Sequence, residues 1–161
     1  MVILFMQYLI IFLISMVPLI ELRGAIPYAI GFKLPLLPSY IICILGNMLP
    51  VPFIFLFARK ILVWGSDKKY IGGFFNWCLK KGEKGGKKLQ EKAGRGLYVA
   101  LFLFVGIPLP GTGAWTGTLA ASFLDMGFKK SVIAVLGGVL LAGIIMGIAS
   151  AGVFTAIFSF A

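Results

Sequence analysis

Apolar positions fill this chain in long blocks, and short polar interruptions divide it into four regions. Residues 1–36 are apolar but broken at Val17-Pro18-Leu19-Ile20-Glu21-Leu22-Arg23-Gly24-Ala25-Ile26-Pro27. Residues 37–63 form a second apolar run, long enough to cross a bilayer that needs about 20 residues; Pro50 and Pro52 are predicted to kink it. Residues 64–96 are polar, basic and rich in glycine, and residues 97–161 are apolar again. That last block is broken at Gly106-Ile107-Pro108-Leu109-Pro110-Gly111-Thr112-Gly113-Ala114-Trp115-Thr116-Gly117 and at Phe128-Lys129-Lys130.

The lengths between breaks predict an all-α fold of unequal helices. Proline removes a backbone donor and glycine loosens the chain, so a helix is expected to fail at both motifs. Between Gly96 and Ile107 lie about ten apolar residues, roughly 15 Å of helix, which is half the hydrocarbon core of about 30 Å. Ala114 to Met126 is a second short piece. Two half-length helices with a Pro/Gly tip make a re-entrant hairpin, tolerated in a bilayer only where protein or a wet cavity satisfies the freed backbone. Residues 1–16, 17–24 and 25–33 read the same way in mirror sense, as a descent, a turn and a return before 37–63 crosses. Local echoes support a repeat: Pro18-Leu19 with Pro108-Leu109, Gly31-Phe32-Lys33 with Gly127-Phe128-Lys129, and Leu45-Gly46-Asn47 with Leu136-Gly137-Gly138. The expectation is one membrane domain, 1–161, built as an inverted repeat of a re-entrant hairpin plus a transmembrane helix. Its halves are 1–63 and 97–161, joined by the basic segment 64–96. In the competing arrangement, residues 1–20 cross fully from an inside N-terminus.

Composition fixes the class. The chain has 161 residues, 60% of them hydrophobic, against about 45–50% apolar residues in soluble domains, and its mean hydropathy is +1.04. An integral membrane protein follows. Of the 15 basic residues, eleven lie between Arg59 and Arg95, and the net charge is +10. The positive-inside rule places this loop in the cytoplasm, so the membrane is the cytoplasmic one. There the charge serves orientation and anionic lipid head groups, with no nucleic acid as partner. Tyr70 to Trp77 reads as a segment lying at head-group depth. Residues 1–19 lack the basic start and the small-residue cleavage pattern of a signal sequence, and are expected to stay in the fold. The chain contains no His, which removes the commonest general base and metal ligand. Cys43 and Cys78 sit in different surroundings, so no disulfide, metal site or catalytic thiol is expected. Gly-Lys pairs at 82–88 lack the spacing of a phosphate-binding loop. Neither an enzyme nor a cofactor is expected.

Candidate chemistry gathers at the two breaks. Glu21 and Arg23 are the only charged side chains between Met1 and Lys33, and a charge within a bilayer is costly enough that it is usually functional or paired. A desolvated Glu21 is the first candidate proton carrier, with Asp125 the second, as a group near the cytoplasmic end of its hairpin. Arg23 offers a donor fork suited to phosphate or carboxylate. Three other uses stay open: a Glu21–Arg23 salt bridge that pins the tip, a pairing with Asp125, or solvated placement at the surface. Asp125 can equally pair with Lys129 or Lys130.

The second break has no charge. Thr112, Thr116 and Thr118 supply hydroxyls, and Thr112 is predicted to cap the returning helix. Both returning helices would aim positive N-termini at the midplane. With Arg23, Gly24 and Pro27 from the first tip and Thr112, Gly113 and Thr116 from the second, this reads as an anion-friendly substrate pocket. Tight packing of small residues accounts equally for the glycines and threonines. Trp115 either stacks on substrate or fills the hairpin, and Asn47 is expected to bond a hairpin backbone group beside the substrate. Gly143 and Gly147, four apart, predict a close helix contact within or between subunits, and a homodimer is expected.

Glu21-Leu22-Arg23-Gly24-Ala25-Ile26-Pro27, Pro108-Leu109-Pro110-Gly111-Thr112-Gly113-Ala114-Trp115-Thr116-Gly117 and the length together resemble the small multidrug export protein family over essentially the whole chain. The hairpin-plus-helix pattern is similar in architecture to the DedA (VTT-domain) superfamily, whose members are associated with moving lipids, including polyprenyl phosphate carriers. The resemblance implies a secondary transporter, proton-coupled, that exports or flips a small amphiphilic substrate. Two alternatives stand beside it: a polyprenyl-phosphate or phospholipid translocase of DedA type, and a non-transporting membrane scaffold that uses the basic loop.

Overall fold

A computed structural model describes residues 2–68, 72–73, 75–77, 79–80, 83, 87 and 96–159. Most of the basic segment, Tyr70, Ile71 and Phe74 of the expected interfacial stretch within it, and Cys78 lie outside the described residues. Helices α1 (Val2–Met16) and α2 (Glu21–Gly31) are joined by a turn at 17–20. Then come α3 (Leu36–Met48), α4 (Pro50–Phe53), a π-helical turn (Ile54–Ala58) and α5 (Arg59–Ser66), which follow one another almost without interruption. After the basic segment stand α6 (Leu97–Gly106), α7 (Ala114–Phe123) and the long α8 (Phe128–Ser159). Every extended element among the described residues is helical.

Two stretches are long and apolar enough to cross a membrane, Leu36–Phe57 and Phe128–Gly152. The other helices are shorter. At 1.5 Å per residue, α1, α2, α6 and α7 reach only about 15–22 Å, less than the roughly 30 Å of hydrocarbon. The outer surface is greasy: Val2, Ile3, Leu37, Ile133 and Ile148 are all largely exposed. A water-soluble monomer rarely shows so much contiguous apolar surface.

The first turn is shorter than the sequence implies. The helix resumes at Glu21 and runs through Gly24 and Pro27, where a turn over 17–24 was expected. Pro18, followed by the positive φ of Leu19 (73°) and Glu21 (51°), already reverses the chain. Pro27 cannot donate to the carbonyl of Arg23, so α2 carries one missing rung and still continues. In the second run, the kink at Pro50 and Pro52 appears as a change of helix type. α3 stops at Met48, Pro50 opens α4, and the π-helical turn follows. The Ser122 hydroxyl on α7 donates to the carbonyl of Phe55 within that turn, at 2.8 Å.

Close approach of α6 to α8 rests on glycine. A Cβ at Gly138 would lie 2.6 Å from Val105 Cβ and 2.7 Å from the carbonyl oxygen of Phe102. Around this seam Leu101, Val105, Val135 and Val139 are buried, and Ile11, Leu22, Ile26 and Val51 extend the core across α1, α2 and α4. Gly143 packs on the ring of Tyr40, whose hydroxyl donates to the Leu140 carbonyl at 2.6 Å. That half of the small-residue pair is thus used within the chain, whereas Gly147 has open space around it.

Candidate functional site

The two turns meet. Glu21, only 4% exposed, opens α2 but directs its carboxylate at the start of α7. Its Oε2 accepts the backbone N–H of Ala114 and its Oε1 that of Trp115, both at 3.0 Å. The first amides of a helix have no partner within it, and here a carboxylate 93 residues away supplies one. An ionised acceptor makes such bonds stronger than a neutral one would. Gly113 makes room: it sits at φ 145°, and a Cβ there would overlap the Glu21 carboxylate.

Arg23 makes the second tie. Its Nη2 donates to Thr112 Oγ1 at 3.0 Å, and its Nη1 donates to the carbonyl of Leu109. The third tie is Trp115, whose indole Nε1–H donates to the Met16 carbonyl at 3.1 Å. Between them these side chains satisfy backbone groups that both turns would otherwise strand. Two residues apart on a regular helix, Glu21 and Arg23 would point to different sides. Glu21 has left-handed φ and so lies off the regular spiral of α2, which lets both charges reach the same turn.

Thr112 is not the helix cap. Gly113 holds that position and no side chain of its own turn caps α7. The extended Gly113 carries Thr112 away from the amides, and the Thr112 hydroxyl turns back to the carbonyls of Ile107 (3.0 Å) and Leu109 (2.9 Å). The N-terminus of α7 is not an open anion site, because Glu21 occupies it, and Arg23 commits two of its five N–H donors to the second turn.

Beside the junction lies a cavity of about 580 Å³. Glu21, Thr112, Trp115 and Thr116 line it from the two turns, and Phe53, Ile54 and Phe57 from the helix opposite. Pro18, Leu19, Ile61 and Leu119 complete an almost wholly apolar wall. Of the residues singled out in the sequence, Glu21, Thr112, Trp115 and Thr116 therefore meet at one cavity, next to Gly113. Arg23, Gly24 and Pro27 are not among its lining residues. Asn47 is buried on α3 away from it, and its Oδ1 has no hydrogen-bond partner among the described residues. Asp125 sits at φ 50° in the turn after α7, at the opposite end of that ten-residue helix from Glu21, about 15 Å away along its axis.

The aromatic wall at Phe53 and Phe57 was not legible as a site. The one signal was Pro50-x-Pro52 ahead of Phe53-x-Phe55-x-Phe57, because the prolines precede a π-helical turn, an element frequent at functional sites. A family model described as "putative small multi-drug export protein" matches residues 21–145, a stretch that opens on Glu21 and takes in the second turn. No curated protein and no solved structure matches the chain.

Proposed function

The chain belongs to the small multi-drug export protein family, a membrane protein with two long apolar helices, and from this we propose that it is a proton-coupled secondary transporter. It exports or flips a small amphiphilic molecule across the cytoplasmic membrane through the cavity beside Glu21. In this reading α1–α2 and α6–α7 are re-entrant hairpins facing from opposite sides, and the basic segment 64–96 stays in the cytoplasm by the positive-inside rule. The protein works as a homodimer in which the open surface at Gly147 packs against a second copy.

One observation carries the proposal: a buried carboxylate ties one turn to the other and at the same time forms part of the cavity wall. Ionised, Glu21 accepts both amides of α7. A proton removes the charge and makes one oxygen a hydroxyl with less capacity to accept, so both bonds weaken. Each hydrogen bond to a charged group contributes about 1.5–3 kcal/mol, enough to shift a two-state balance ten-fold or more. Proton uptake would thus loosen the second turn from the first, while a molecule in the cavity touches the same carboxylate and Trp115. A group whose two states favour two arrangements is what coupling requires. A phosphorylated lipid as substrate is less well served, because Arg23 bonds the second turn and does not line the cavity.

The test is dye efflux from proteoliposomes driven by a pH gradient, with one cationic, one neutral and one anionic amphiphilic dye. At least one dye is expected to move in the wild type, and Glu21→Gln is expected to abolish the dependence on the gradient. Gradient-driven efflux that survives in Glu21→Gln removes the coupling role.

A further inference from the structure

We infer that the cavity binds a lipophilic protonated amine that enters from the bilayer, its N–H bonding to Glu21 and its cationic nitrogen lying among the rings of Trp115, Phe53 and Phe57. This rests on the transporter reading and names its substrate class. The polar groups facing the cavity are Glu21, Thr112 and Thr116. Each Glu21 oxygen already accepts one amide and retains capacity for another bond. The donors on the cavity wall are engaged elsewhere. The Ala114 and Trp115 amides are on Glu21, the Trp115 indole is on Met16, the Thr112 hydroxyl turns to the carbonyls of Ile107 and Leu109, and that of Thr116 to the carbonyl of Gly113 at 3.4 Å. Arg23 bonds the second turn and does not line the cavity. What remains on the cavity wall is an acceptor together with three aromatic rings, and a cation over a ring face is favoured.

Charge alone does not carry the selectivity. Arg23 and the positive end of α7 already offset the charge of Glu21, so a cation without a donor gains little beyond ring contact. An N–H adds a charge-assisted bond to Glu21. The expected order is therefore protonated tertiary amine first, quaternary ammonium and neutral isostere below it, and carboxylate last. The route follows from exposure. Leu19 is 78% and Phe53 62% exposed, so the cavity opens on the same greasy surface as the rest of the exterior, towards hydrocarbon. Its size suits a drug-sized molecule.

The experiment uses the full chain in lipid nanodiscs, with Trp64→Phe and Trp77→Phe leaving Trp115 as the single tryptophan. Four bromoaryl probes of matched shape, a dimethylamine, a trimethylammonium, an isopropyl and a carboxylate, are titrated against Trp115 fluorescence. The dimethylamine is expected to bind about ten-fold tighter than the isopropyl probe, a gap of about 1.4 kcal/mol, with the carboxylate weakest. Glu21→Gln should bring the amine down to the isopropyl level. Should that variant fail to fold, Phe57→Leu, on the exposed side of the cavity, is expected to weaken the amine several-fold and the isopropyl probe less. Nanodiscs of brominated-acyl lipid should quench Trp115 before any probe is added; no quenching overturns entry from the bilayer. Equal binding of amine and isopropyl probe, or tighter binding of the carboxylate, overturns the substrate class while dye efflux, measured separately, leaves the transporter reading standing. Absence of quenching by all four probes overturns the cavity as the binding site.

Discussion

Both breaks carry proline and glycine, and yet they bring unequal things to their meeting. The first contributes two full charges, Glu21 and Arg23, and takes almost nothing for its own backbone. The second contributes backbone amides, a carbonyl and hydroxyls, and relies on the first to satisfy them. A helix start whose cap lies in its own turn can form alone. One whose cap lies 93 residues away forms fully only when the two turns dock. The inequality makes the second turn the dependent partner, so the protonation state of one residue in the first turn can govern it.

The sharpest break of this comparison is Glu21→Ala. It strands two buried amides at the start of α7, and at about 1–3 kcal/mol per unsatisfied group the loss of stability should be about 3 kcal/mol or more. Reversible unfolding in micelles measures it; a loss below about 1 kcal/mol means the cap is not needed. Next is Gly113→Ala, which places a methyl on the carboxylate and forces a side chain into a positive φ, for about 1–3 kcal/mol. Combined with Glu21→Ala it should cost clearly less than the sum, because both remove one contact. Additive losses would separate Gly113 from Glu21.

Arg23→Lys tests the other tie. The charge stays but the fork does not, so one of the two bonds to the second turn goes, for about 1 kcal/mol. Arg23→Ala should cost more, and the reverse order would show that Arg23 acts by charge alone. The smallest effect belongs to Asp125→Asn, at the far end of α7. It is expected to change stability by no more than about 0.5 kcal/mol and to leave gradient-driven efflux at half of wild type or above. Loss of that dependence in Asp125→Asn with its survival in Glu21→Gln would move the coupling group to the opposite end of the helix.

How much of this was legible depended on the range of the rule involved. Pro18 and Pro108 to Gly113 marked both turns, and helix length set against bilayer thickness marked the pieces that became α6 and α7 as about half a crossing, with the first half read by analogy to them. Those rules need only local sequence. Capping was misjudged for the same reason: the local rule looks for Ser, Thr, Asp or Asn within three residues and finds Thr112, while the true partner is Glu21. The resumption of helix at Glu21 was hidden because Gly24 and Pro27 are poor interior residues, tolerated here within a packed α2. Phe53 and Phe57 were indistinguishable in sequence from the rest of an apolar run; only the fold puts them on the same cavity wall as Trp115.

Everything here turns on the carboxylate of Glu21 holding the amides of Ala114 and Trp115. The most direct measurement is the ¹H–¹⁵N shift of those two amides followed through a pH titration in nanodiscs, in wild type and in Glu21→Gln. Both amide protons are expected to move together on a single titration in the wild type and to lose that titration in Glu21→Gln. Amides that do not titrate, or that titrate identically in both proteins, would contradict it.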